Sequence, residues 1–256
     1  MIDKNLHKFF QKGFLHLDSF VETGLGPYHS GLKYCFLGTI FDHHKGTYPA
    51  AHGDFGKHVF THFVSIEVHQ DYIDKANRLW RSVRPDQSDP MPWETKVNSL
   101  ENFRIVKGDS GEALENILSE LNRPSIIYLD AHAHFFENDN HDDSPLRKEL
   151  EAIKRHITKS GQKEYLIIVD DAGHIAYSTN KEDWATRAGT VDEIKKTLHN
   201  IFEDPDETVV VDIDYAENIV EKKKFSKHQP HAFAPGGKRN FHLCAYLKGT
   251  YKEAKQ

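Results

Sequence analysis

The chain has 256 residues, of which 38% are hydrophobic and 28% charged, with a formal net charge of −6 and two cysteines. These figures describe an ordinary soluble globular chain of α/β-domain size. They weigh against a general nucleic-acid binder, which needs a basic face for phosphates, and against a disulfide framework, leaving Cys35 and Cys244 as buried thiols of a reducing, cytoplasmic compartment.

In chain order, an N-terminal helical extension of about residues 1–16 lacks a signal-peptide core. Its Phe9, Phe10 and Phe14, with Leu17, read as packing residues rather than as a membrane anchor. A strand at Ser19–Glu22 then breaks into the turn Thr23-Gly-Leu-Gly26. Glycine lacks a Cβ, so the backbone can turn sharply and lie directly against a ligand. The following helix, His29–Leu37, would aim its N-terminal amides at that ligand. An irregular insertion at 38–56 and a strand at His62–Glu67 follow. The histidines of this stretch, His43, His44, His52, His58 and His62, lack paired cysteines and regular spacing, and read as surface residues rather than a zinc site.

A helix at Gln70–Arg81, a second insertion at 84–101 and a strand at Phe103–Lys107 come next. Asp109 and Ser110 are N-cap candidates for a helix at Gly111–Leu121. A strand at Ser125–Asp130, a helix opened by Ser144-Pro145 and running to His156, and a strand at Tyr165–Asp170 complete the middle of the chain. A helix at Thr190–Phe202 and strands at Thr208–Ile213 and Phe241–Leu247 end it. Apolar runs such as Tyr165–Val169 are core-strand length and fall far short of a bilayer span. Alternating strands and helices without internal repeat or low-complexity linker predict one domain, 1–256. Its fold is a Rossmann-like, doubly wound, mostly parallel seven-stranded sheet with helices on both faces.

In such sheets the ligand lies at the carboxyl ends of the strands. Acids stand there in succession: Glu22, Glu67, Asp109, Asp130 and the pair Asp170-Asp171. One strand-terminal acid is commonly a cap or turn residue, and Asp130 and Asp170-Asp171 each retain that reading. Five in a row favour a site. A carboxylate after the second strand can accept both hydroxyls of a ribose, and Asp109-Ser110 can read an adenine edge.

These residues resemble the class I S-adenosylmethionine-dependent methyltransferases over most of the chain. Val21-Glu-Thr-Gly-Leu-Gly26 is similar to that family's first motif, with Tyr28 standing where a third glycine is usual. Ser65-Ile-Glu67 resembles its ribose acid, Gly108-Asp-Ser110 its adenine-side motif, and Tyr128-Leu-Asp-Ala-His132 with Val169-Asp-Asp171 its metal-dependent, sugar-modifying O-methyltransferases. The resemblance implies S-adenosyl-L-methionine held by Glu22, Thr23, Gly24, Gly26, Ser30, Glu67, Asp109 and Ser110. It implies a magnesium or manganese ion held by Asp130, Asp170 and Asp171, and methyl transfer to a hydroxyl of a carbohydrate or nucleotide-activated sugar.

Three carboxylates suit a hard cation that would acidify the reacting hydroxyl. His132 is the first candidate for the base, ahead of His134 and His174, each of which lies just beyond an acid. Walls for the acceptor are sought in residues 38–56, with Tyr48 and Phe55, and in Pro230 to Arg239. Lys222, Lys223 and Lys224 read as a solvated helix end or, with Lys227, Lys238 and Arg239, as contacts to a diphosphate.

Two other classes stay open. A metal-dependent hydrolase would use His132, His134, Asp170 and His174, but leaves the glycine-turn acids without a role. A nicotinamide-dependent oxidoreductase would want a third glycine where His29 stands. The expected partner is a small-molecule acceptor, with no nucleic acid and no membrane span, and a homo-oligomer stays open.

Overall fold

The structure, a computed structural model, describes residues 4–17, 19–24, 62–74, 102–131, 144–178, 185, 188–215, 233–234 and 238–253. Its centre is built from strands without a solvent-exposed face. β1 (Ser19–Thr23) and β5 (Tyr165–Val169) are buried at every position, as strands covered by other elements on both faces must be. With β2 (His62–Glu67), β3 (Asn102–Lys107), β4 (Ser125–Leu129), β6 (Thr208–Asp214) and β9 (Phe241–Leu247) they form a seven-stranded sheet in the order β3-β2-β1-β4-β5-β9-β6. The strand pairs from β3 across to β5 are parallel. β9 runs antiparallel between β5 and β6. Two-residue strands β7 (Phe233–Ala234) and β8 (Lys238–Arg239) pair separately.

The helices follow the apolar faces. On one face Val21, Ile66, Ile127, Leu129 and Ile167 pack against α2 (Ser110–Leu121) and α3 (Leu146–Ser160) through Leu114, Leu118, Leu150 and Ile153. Residues one position out of step, Phe20, Ile126, Leu166 and Ile168, point to the other face. There they meet Phe10 and Phe14 at α1 (Lys4–Gly13), together with Leu17, Cys244 and Tyr246. Phe14 stands edge-on to Tyr246, at 5.0 Å, and to Tyr251, at 5.5 Å, the arrangement the aromatic quadrupole favours. α4 (Ala172–Tyr177) follows β5, and α5 (Val191–His199) starts at a capping box between Thr190 and Glu193. No helix among the described residues is long and apolar enough to cross a membrane.

The Rossmann-like sheet has the predicted strands, with shifted ends. β1 runs one residue further, to Thr23, so Glu22 lies inside it on the face of Phe20. β4 and β5 stop at Leu129 and Val169. Their pairing still extends one amide further, because Asp130 N–H donates to the Thr23 carbonyl (3.1 Å) and Asp170 N–H to that of Leu129 (3.0 Å). Pro145 is the residue before the first helical position of α3. The helix begun at residue 70 is described to 74. The predicted helix His29–Leu37, the insertions at 38–56 and 84–101, Cys35 and Lys222–Lys224 lie outside the described residues.

Candidate active site

The sheet order reverses between β1 and β4, and the crevice at their carboxyl ends is where an open α/β sheet binds ligands. Gly24 sits at that point with φ of +78°, and its N–H donates to the Ile66 carbonyl at 2.9 Å. A Cβ there would lie 2.5 Å from the Asp130 carbonyl oxygen and 2.7 Å from Ala131 Cα. Glycine therefore serves two needs, a left-handed backbone and direct backbone contact between the turns after β1 and β4.

Glu22 is 1% exposed, and its Oε1 has no hydrogen-bond partner. Burial pushes its carboxyl up to about 8, against the Ser65 hydroxyl and reinforced by the charge of Glu67. Glu67, at the end of β2, is also buried and accepts the His69 N–H on Oε1 at 2.9 Å. Asp109 is the N-cap of α2 by position but makes no side-chain cap bond. Its carbonyl instead accepts the amides of Glu112 (3.2 Å) and Ala113 (2.9 Å). Ser110, the first helical residue, is buried.

Beside this group, Asp130, Asp170 and Asp171 each offer a carboxylate oxygen, and the three lie within 4.8 Å of one another. The Tyr215 hydroxyl donates to Oδ1 of Asp170 (2.5 Å) and of Asp171 (3.1 Å). Asn240 Nδ2 also donates to Asp171 Oδ1, while Asn240 Oδ1 accepts the amides of Gly173 and Phe241, both at 2.9 Å. His242 Nδ1 lies 2.7 Å from Asp170 Oδ1. These bonds explain how Asp171 keeps a φ of +50°, a backbone region that L-residues rarely hold.

Burial disfavours the Asp170 carboxylate. His242 and the hydroxyls of Tyr215 and Tyr128 outweigh that cost and hold it well below the usual range. Burial and the neighbouring carboxylates push the phenols of Tyr128 and Tyr215 well up. Three hard oxygen donors at this separation fit a divalent cation of the magnesium or manganese kind.

Of the residues singled out in the sequence, Glu22, Thr23, Gly24, Glu67, Asp109, Ser110, Asp130, Asp170 and Asp171 gather along this edge. Gly26, Ser30, His132 and His134 lie outside the described residues, as do Tyr48 and Phe55. His174 is in α4, where its amide donates to the Asp171 carbonyl at 2.9 Å. His62 opens β2, at the end away from Glu67, with Nδ1 2.6 Å from Arg123 Nη1. Arg239 lies 3.6 Å from Asp214.

Sequence reasoning missed Tyr215, Asn240 and His242, which come from the distant carboxyl-terminal strands and carry no local motif. It also missed Glu149, and there a signal was present. Glu149 falls at the spacing of Leu146, Leu150 and Ile153, so it is an acid on the buried stripe of an amphipathic helix. The carboxyl is fully buried, and neither oxygen has a hydrogen-bond partner. Burial pushes it up to about 7, opposed by the adjacent hydroxyls of Ser110 and Thr23 and reinforced by the charge of Asp109.

No family model matches the chain. No curated protein matches it. Among solved structures it is similar to the methyltransferase domain of bacterial CtHen1, at 10% identity over 94% of each chain with a TM-score of 0.44. It is also similar to the plantazolicin methyltransferase BamL in complex with a triazolic desmethylPZN analog and SAH, at 12% identity over 90% of this chain and 77% of that one, with a TM-score of 0.42. These likenesses are weak, and the Rossmann-like assignment rests on the order and register of the sheet itself.

Proposed function

We propose that the chain is an S-adenosylmethionine-dependent O-methyltransferase that uses magnesium or manganese and acts on a hydroxyl of a carbohydrate or nucleotide-activated sugar. The observation that carries the reading is a shared edge. The glycine turn after β1, the acid ending β2 and the first turn of α2 stand beside the three carboxylates after β4 and β5, and Gly24 joins the two groups by backbone contact.

When bound, S-adenosylmethionine supplies an activated methyl group, and the cation supplies acidity to the hydroxyl that accepts it. In this reading Glu67 would accept ribose hydroxyls, and Asp109 with Ser110 would meet the adenine. Asp130, Asp170 and Asp171 would hold the cation. Tyr215, Asn240 and His242 keep the last two oriented, as partners behind a metal ligand do. The chain's main task is alignment of donor and acceptor. His132, or failing it His134 or His174, takes the hydroxyl proton in this reading.

Calorimetric titration of S-adenosylhomocysteine into the protein, with and without magnesium or manganese, tests it. One-to-one binding supports the cofactor class and directs a screen of sugar hydroxyl acceptors. Absence of binding in every condition overturns the reading.

A further inference from the structure

We propose that Glu149 is a positioning residue for the cofactor pocket: from α3, its carboxyl group ties Thr23, at the end of β1, to Ser110, in the first turn of α2. This rests on the proposed cofactor site. Thr23 and Ser110 belong to different elements, and both are buried. Thr23 lies on the sheet face covered by α2 and α3, because it alternates in step with Val21 of that core. The hydroxyls of Ser110 and Thr23 and the charge of Asp109 all act on the Glu149 carboxyl, which is fully buried on the stripe of α3 that faces this core. Neither hydroxyl forms a well-directed bond to it. Hydroxyl donors rotate freely, so a small adjustment would align them with the carboxyl.

The approach is built into the packing of two helices. A Cβ on Gly111 would lie 2.6 Å from Lys148 Cβ, so the residue beside Glu149 presses directly on the first turn of α2. Away from the pocket, Glu115 of α2 is held by Arg155 (2.6 Å) and Lys159 of α3. The pair is thus fastened at its far end by exposed charges and at the pocket end by the Gly111 contact and Glu149. A buried acid with unmade hydrogen bonds costs folding stability. A leucine of similar size would fill that apolar stripe better. The acid at this position makes sense when it serves the pocket walls.

The test compares Glu149→Leu, Glu149→Gln and Glu149→Asp with the parent chain. Melting temperature, affinity for S-adenosylhomocysteine, and hydrogen exchange of the Glu112 and Ala113 amides, which bond to the Asp109 carbonyl, are measured for each. Glu149→Leu is expected to melt at or above the parent temperature, yet bind about tenfold more weakly and exchange these two amides faster. Glu149→Gln keeps the reach and polarity, and its affinity is expected to stay within about threefold. Glu149→Asp withdraws the carboxyl by one methylene and is expected to bind like the leucine variant, which keeps the test alive if leucine prevents folding. Parent-like affinity and exchange in both Glu149→Leu and Glu149→Asp, or in Glu149→Asp alone if leucine does not fold, would overturn the proposal. If the parent chain itself does not bind S-adenosylhomocysteine, the cofactor reading fails separately. The exchange comparison then decides whether Glu149 holds the first turn of α2.

Discussion

Replacing Gly24 with alanine separates two costs that the structure places at one residue. The backbone there has φ of +78°, and holding an alanine in the left-handed region costs about 1–2 kcal/mol. The new Cβ would also stand 2.5 Å from the Asp130 carbonyl oxygen, against an ordinary contact of 3.4 Å or more. The turn after β4 must yield, and forcing a group into packed structure costs about 1–3 kcal/mol more. The expected loss is therefore about 2–5 kcal/mol. Gly161, after α3, supplies the control, with φ of +71° and nothing within 4 Å of its imagined Cβ. Gly161→Ala should lose the backbone part alone, about 1–2 kcal/mol. Urea denaturation of both variants, read from midpoints at a common slope, gives the difference directly. Equal losses would refute the claim that the turns after β1 and β4 are in backbone contact.

Other outcomes follow from the same geometry. Glu149 is held at about 7 in the folded chain against an ordinary 4.5. Folding suppresses its ionisation, so stability is whole below 4.5 and declines as pH rises through about 7, by about 3 kcal/mol in all. Relative to the parent, Glu149→Gln should show a shallower decline across that window in urea melts at stepped pH, and parallel curves would contradict the buried, uncharged assignment. Phe14→Ala empties a fully buried site between Tyr246 and Tyr251 and should cost about 3–5 kcal/mol; a loss of about 0.5 kcal/mol or less, the size of a surface change, would mean that the residue following α1 is not part of the core. Asp130→Ala should abolish methyl transfer while leaving S-adenosylhomocysteine affinity within about threefold, and undiminished turnover removes the metal role. Glu67→Ala should weaken that affinity by about tenfold or more; parent-like calorimetry would remove the ribose assignment.

The parts of the fold legible in the sequence were those written in local pattern. Tyr165–Val169 reads as a strand because five consecutive apolar residues have no helical stripe to form, and it is buried on both sides. Gly24 reads as a turn because glycine follows an apolar strand, and the structure adds the contact with Asp130 that makes glycine necessary. The nearness of Asp130 to Asp170-Asp171 was accessible because parallel pairing of β4 and β5 sets their ends side by side. Non-local partners were not accessible. Asn240 reaches Asp171 across 69 positions and Tyr215 reaches Asp170 across 45, and only the antiparallel insertion of β9 brings them there. Glu149 was legible in principle, as a charge out of place on an apolar stripe.

That insertion has a consequence for synthesis. A nascent chain that has emerged through β5 already carries Asp130, Asp170 and Asp171, but the groups that orient the last two are still being made. Since chains emerge from the amino end, β5 waits with an unpaired edge until β9 arrives. The strand that closes this edge is the one that delivers His242 and, just ahead of it, Asn240. Completion of the sheet and setting of the acidic pair are thus one event, so a prematurely terminated product would lack a competent site as well as a closed sheet.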